Sequence, residues 1–233
     1  MKLIIWNCKK DYNYKAKLIV IQEPDLVIIP ECEKSEFLTF AGEIVKPTDF
    51  IWYGEPSADR GIGIFSYSNY QIKLLDIHNP AIKHVIPVLV TNGKESFNLL
   101  AVWTLKPYTK QMWDAIKYYS GVLANDIIIA GDFNSNSLWD SANKNSSHSE
   151  FVKHLESKEI LSVYHHFYNE TQGKESTPTF HWYHHEDKPF HIDYCFASKK
   201  LISKLTNVEI GKFADWAKHS DHMPMSITFD ESL

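Results

Sequence analysis

Three short runs of this chain are wholly apolar, and each stops at an acid or an amide. LIIW (3–6) ends at Asn7, LVIIP (26–30) at Glu31 and IIIAG (127–131) at Asp132. Runs of this length suit strands rather than helices, and a strand apolar at every position is covered on both faces. Their strands read as 2–8, 26–29 and 126–131, with others at 61–66, 86–90, 97–103, 179–183, 191–197 and 224–229. Helical spacing appears over 14–22, over 149–157, and over 109–123, where Met112, Ile116, Tyr119 and Leu123 share one stripe. Some strands follow one another directly and others are separated by helices. The mixture predicts an α/β sandwich in which two sheets pack together and helices cover the outside. There is no internal repeat, low-complexity tract or linker, so residues 1–233 are expected to form one domain. The longest polar stretch, 134–149, reads as a surface loop.

Composition narrows the function classes. The chain has 24 Lys+Arg against 29 Asp+Glu, a formal charge of −5, which argues against a sequence-blind coat on DNA. Arg60 is the single arginine, so a bidentate guanidinium grip on phosphate can come from one position only. No apolar run approaches the ~18 residues that span a membrane, and the N-terminal run is too short for a signal-peptide core. Three cysteines, Cys8, Cys32 and Cys195, are too few and too odd for a disulfide framework. The expectation is a cytoplasmic protein, monomeric by default, with no membrane partner.

Chemistry gathers where the strands end. Asn7 and Glu31 close the first two strands, Asp132 and Asn134 follow IIIAG, Asp193 lies in HIDYCFAS, and Asp221 and His222 precede the last strand. Polar residues ending apolar strands place reactive groups at the lip of a buried scaffold. Four carboxylates brought together there repel one another unless a cation neutralises them. Oxygen donors without thiolate suit Mg²⁺ or Mn²⁺ better than zinc.

These pieces together resemble the endonuclease/exonuclease/phosphatase superfamily, the DNase I-like and exonuclease III-type proteins. WNC (6–8), PDLVIIPECE (24–33), RGIGIFS (60–66), GDFNSN (131–136), TPTFHW with HIDYCFAS (177–198) and SDHMP (220–224) occur in the family's order across almost the whole chain. The resemblance implies a four-layer α/β sandwich and metal-assisted hydrolysis of a phosphoester, and the short, undecorated domain with its expected cytoplasmic address favours nucleic acid, DNA or RNA, as the substrate. By the same carry-over, Glu31 would bind the divalent ion with Asn7 and Asp221 beside it. Asp132 would orient or deprotonate the attacking water, and Asn134 would hold that water or a phosphate oxygen. His222 would meet the phosphate opposite the ion, with Asp193 as its partner. Imidazole titrates near 6.5, so a carboxylate beside it is what keeps it cationic at neutral pH. Arg60 is a candidate phosphate contact.

Two positions depart from the pattern. Where many members carry a second catalytic His or Tyr, this chain has Trp103, and an indole is no proton donor for acid catalysis. Lys106 or Tyr108, a few residues on, is the candidate for that task. The Gln before the metal-binding Glu is Pro30 here. The histidines His165, His166, His181, His184, His185 and His191 match no standard zinc spacing, and a hairpin with alternating exposed histidines explains them as well. Trp52, Tyr53, Trp103, Trp139, Trp182 and Tyr183 are either packing residues or platforms for unpaired bases. Cys8 and Cys32 are expected to pack as small hydrophobes. Two other readings stay open: hydrolysis of a small phosphorylated metabolite or inositol phosphate, and a non-catalytic module that binds nucleic acid.

Overall fold

The computed structural model describes residues 1–40, 45–55, 57–142 and 146–230. In chain order the first half comprises β1 (Lys2–Ile5), α1 (Tyr12–Val20), β2 (Leu26–Glu33), β3 (Asp49–Tyr53), β4 (Arg60–Ser66), β5 (Gln71–Leu74), β6 (Val85–Thr91), β7 (Ser96–Trp103) and α2 (Tyr108–Tyr118). The second half continues with β8 (Ile127–Asp132), α3 (His148–Glu156), β9 (Ile160–Ser162), α4 (Val163–Tyr168), β10 (Phe180–His181) and β11 (Pro189–Phe190). It closes with β12 (Asp193–Ser198), α5 (Lys199–Ile202), β13 (Leu205–Ile210), α6 (Phe213–Trp216) and β14 (Met225–Phe229).

Two six-stranded mixed sheets result, in the orders β13-β14-β1-β2-β4-β3 and β5-β6-β7-β8-β12-β9. β1 runs parallel to β2, and β7 parallel to β8. The sheets face each other across a core that takes Leu3, Ile5 and Ile28 from one and Leu99, Ala101 and Ile128 from the other. Alternate residues of the same strands face outwards. Ile4, Trp6, Val27 and Ile29 pack on Tyr12, Ala16 and Ile19 of α1. Leu100, Val102 and Ile129 pack on α2 and α3 through Met112, Ile116, Phe151 and Leu155. The layers run helix, sheet, sheet, helix, which is why the central strands are apolar at every position.

In the two six-stranded sheets, the strands that sequence reading leaves out are β3, β5, β9 and β13, the outermost strands, and it also misses β11 of the small β10–β11 hairpin. All four outermost strands are short, and polar-interrupted segments such as QIKL and LTNVEI carry a weak pattern. Other boundaries shift. The first strand stops at Ile5, although the Trp6 amide still donates to the Ile28 carbonyl. The helix expected over 109–123 ends at Tyr118 and gives way to a 3-10 turn, Ser120–Ala124, with the Met112, Ile116, Tyr119 and Leu123 stripe buried as expected. The strand expected over 179–183 shrinks to β10 because Tyr183 turns left-handed, with φ 53°. The polar stretch 134–149 contains a 3-10 segment, Ser137–Ala142, and the first residues of α3, while 143–145 lie outside the described residues.

Candidate active site

The C-terminal ends of β1, β2 and β8 lie side by side, and the start of β12 meets the end of β8 from the opposite direction. Gly131 pairs with Val102 across the parallel β7–β8 ladder, with φ 144°, and an added Cβ would stand 1.9 Å from the Val102 carbonyl oxygen. Only glycine lets the backbones approach so closely just before the acid. In the antiparallel β8–β12 ladder Asp132 faces Asp193 directly. Two acids opposite each other in a buried sheet would destabilise it unless each found partners.

They do. The Asp132 carboxylate accepts the Asn7 amide at 3.0 Å and, from Asn134, both the backbone N–H at 2.9 Å and the side-chain amide at 3.0 Å. The Asn134 amide also donates to the Thr104 carbonyl at 3.0 Å, and φ 47° turns this residue back over Asp132. Asn7 donates at 3.3 Å to Glu31 as well, so one amide bridges two carboxylates from different strands. Asp193 Oδ2 accepts from His222 Nδ1 at 2.8 Å, whereas Asp193 Oδ1 is buried without a hydrogen-bond partner among the described residues.

Glu31 sits where the β2–β4 register breaks between Ile29 and Cys32, with φ 55°. A bulge of this kind re-aims a side chain at a sheet rim. Pro30 lies in the same break, where its missing N–H costs no ladder bond. Two residues on, Glu33 accepts the backbone N–H of Tyr12 at 2.8 Å and of Asn13 at 2.6 Å. That carboxylate supplies the start of α1 with acceptors and fixes the helix beside Asn7.

The loop before β14 is set by hydroxyls that sequence reading passed over. Ser220 donates to the Asn7 carbonyl at 2.7 Å and accepts the His222 N–H at 3.1 Å. Thr179 accepts the N–H groups of Ile192 and Asp193, each at 3.0 Å. Both lie inside the quoted SDHMP and TPTFHW segments, which was the available signal. The Phe180 ring covers His222 at 4.6 Å between centroids.

Electrostatics sorts the acids from the base. Burial opposes a charge on His222, but Asp193 and then Asp132 override it and hold the imidazolium well above its ordinary range. Asp132 is pushed upward, first by burial and then by Asp193, with His222 pulling the other way. Burial alone would raise Asp221, yet His222 and Lys9 together hold its carboxyl below the usual range. Lys9 Nζ stands 3.0 Å from Asp221. Arg60 pairs with Glu31 and lies 3.5 Å from Asp59.

The structure thus brings Asn7, Glu31, Asp132, Asn134, Asp193 and His222 into one bonded cluster, with Asp221 beside it and Arg60 at its rim. Ligand atoms of Asp132, Asp193 and His222 lie within 4.8 Å of one another, the one such group among the described residues. We read that trio as a hydrogen-bonded couple rather than a cage, because His222 Nδ1 is already committed to Asp193. The histidine-rich segment forms no such group. His181 and His191 are buried at the base of the β10–β11 hairpin while His184 and His185 are exposed at its tip, so the expected alternating exposure is corrected. His165 pairs with Glu175 at 3.1 Å. Trp103 is buried against His84, its Nε1 without a partner among the described residues, and Lys106 and Tyr108 line a cavity beside Asn134. Cys8, Cys32 and Cys195 are buried free thiols, with pKa values pushed up by burial.

No protein-family model and no curated protein matches the chain. Solved structures do. An AP endonuclease from Archaeoglobus fulgidus superposes with TM-score 0.72 at 16% identity, covering 99% of each chain. A 3′ phosphatase from Neisseria, bound to a product DNA hairpin, gives 0.68 at 15%, again over 99% of each chain. An AP endonuclease from Leishmania major gives 0.71 at 12%, over 99% of this chain and 88% of that one. The chain shares with these structures its fold, two mixed β-sheets packed together and flanked by helices.

Proposed function

We propose that this chain is a divalent-metal-dependent hydrolase of phosphoester bonds, with nucleic acid as its substrate. The observation that carries the reading is the pairing of opposites within one cluster: a carboxylate bound by two amides, beside an imidazolium held by a second carboxylate. His222 Nε2 and Asp132 Oδ2 are 3.9 Å apart. That is too long for a hydrogen bond between them and wide enough for an oxygen about 2.8 Å from each.

In this reading Asp132, fixed by Asn7 and Asn134, orients the attacking water and takes its proton. Burial strengthens it as a base by raising its proton affinity. Asn134 has a side-chain oxygen left to steer the same water. His222 donates from Nε2 to a phosphoryl oxygen and stabilises the charge that builds there, while Asp193 fixes its ring and its protonation. Trp103 supplies no proton to the leaving oxygen, and Lys106 or Tyr108 is assigned that task. The donor set fits a hard ion: Glu31 and Asp221 offer carboxylate oxygens and Asn7 an amide oxygen, while burial keeps the neighbouring Cys8 thiol protonated. Glu31 would hold Mg²⁺ or Mn²⁺ with Asn7 and Asp221 beside it. Once bound, the ion acts as a Lewis acid toward the phosphoester. Arg60, freed from Glu31, would turn to the phosphate.

The test is cleavage of labelled single- and double-stranded DNA and RNA, and of a 3′-phosphorylated strand, with Mg²⁺, Mn²⁺ or EDTA. Cleavage that requires metal and drops by at least about a thousandfold in Asp132→Ala and His222→Ala supports the reading. Folded protein that binds Mn²⁺ but cleaves none of these would contradict it.

A further inference from the structure

Four aromatic rings run in series from the tip of the β10–β11 hairpin to the edge of the reaction centre. Tyr183 and Trp182 lie 5.8 Å apart between centroids, Trp182 and Phe190 6.3 Å, and Phe190 and Trp139 5.1 Å. Tyr183 is 73% exposed, Trp182 49% and Trp139 36%. Rings left so open to water contribute little to folding, and a contiguous row of them marks a surface that meets something apolar. Trp139 is also one wall of a cavity of about 360 Å³ bounded by Lys106, Tyr108 and Asn134. The row therefore ends at a residue of the proposed active site.

The hairpin is registered to that site by its backbone. His181 donates to the Asp221 carbonyl at 2.8 Å, Met223 to Thr179 at 2.7 Å, and Thr179 to Phe190 at 3.0 Å. An occupant lying on the rings is thereby held at a fixed offset from His222. The charges say what that occupant is. The tip carries Glu186, Asp187 and Lys188, so no basic track follows the rings. The cations beside the row are separate: Lys188 closes the tip, Lys106 lines the cavity with Trp139, and Lys9 stands 3.1 Å from His184 Nε2. A duplex presents phosphates and groove edges, for which the row has no series of donors. An unpaired strand presents ring faces, for which it is built.

We infer that Trp139, Phe190, Trp182 and Tyr183 form a stacking platform for unpaired bases, and that the substrate class is single-stranded or frayed nucleic acid. The inference rests on the hydrolase reading for what happens beside the platform, though not for binding to it. The experiment measures binding in EDTA of a fluorescent oligothymidylate and of a hairpin duplex to wild type, Trp182→Ala, Tyr183→Ala and Tyr118→Ala. Tyr118 is an exposed ring at the far end of α2 and serves as the control. The expected result is tighter binding of the unpaired strand, weakened about tenfold by each hairpin variant and unchanged by Tyr118→Ala. Equal or tighter binding of the duplex, or wild-type binding by both hairpin variants, overturns the platform. Ring-dependent binding by a chain that cleaves nothing keeps the platform and overturns the hydrolase reading instead.

Discussion

Histidines are buried here in two opposite electrostatic settings, and each setting fixes a different proton count. His222 lies between Asp193 and Asp132 and stays a cation. His148 faces Ser135 at 2.9 Å and Gln172 at 3.3 Å, and burial outweighs Gln172, Asp140 and Glu175 to bring it from 6.5 to about 4. Because that folded value lies below the ordinary one, the unfolded chain binds more protons between the two. Stability from this site is therefore complete above about pH 6.5 and is lost as pH falls toward 4. The predicted loss is about 2 kcal/mol between about pH 7.5 and pH 5, seen as a lower urea midpoint. His148→Gln should shrink that pH difference, and an unchanged difference would contradict the assignment. The site matters because Ser135 follows Asn134 directly, and Asn136 binds the His191 carbonyl at 2.9 Å, so this network backs the loop that holds Asp132.

Strands with both faces buried were the legible part of the fold. LIIW, LVII and IIIAG are apolar throughout because each faces a helix layer and a sheet layer, and the residues that end them, Asn7, Glu31 and Asp132, are the ones the cluster uses. The edge strands β3, β5, β9 and β13 are too short, at three to six residues, to write a clear pattern into the sequence. What sequence could not supply was side-chain geometry: that Glu31 sits on a bulge, that Lys9 meets Asp221, and that Ser220 and Thr179 hold the backbone of the segments carrying Asp193 and His222. At this scale Gly131 is the sharpest test. Gly131→Ala drives a methyl into the Val102 carbonyl, so the β7–β8 pairing must yield. The expected cost is about 3 kcal/mol or more, read from denaturant unfolding. A variant as stable as wild type would show that the ladder there is looser than described.

At the scale of the whole molecule, charge sets how substrate is held. A chain of net charge −5 with one arginine cannot lay many cations along a phosphate backbone. No helix among the described residues is long and apolar enough to cross a membrane. Affinity for an oligonucleotide should fall only gently with salt, with a slope near −2 to −3 on logarithmic axes, as expected for about three phosphate contacts. A slope of about −6 or steeper would mean an extended basic track along the phosphate backbone and would contradict this prediction. The central claim, that this cluster hydrolyses phosphoesters, is independent of which polymer is bound. The most direct measurement is therefore hydrolysis of bis(4-nitrophenyl) phosphate by wild type and Asp132→Ala, with Mn²⁺ and with EDTA. The account predicts Mn²⁺-dependent release of nitrophenolate that EDTA abolishes and Asp132→Ala loses. Release by the variant at the wild-type rate, or none from folded wild type with Mn²⁺, would contradict it.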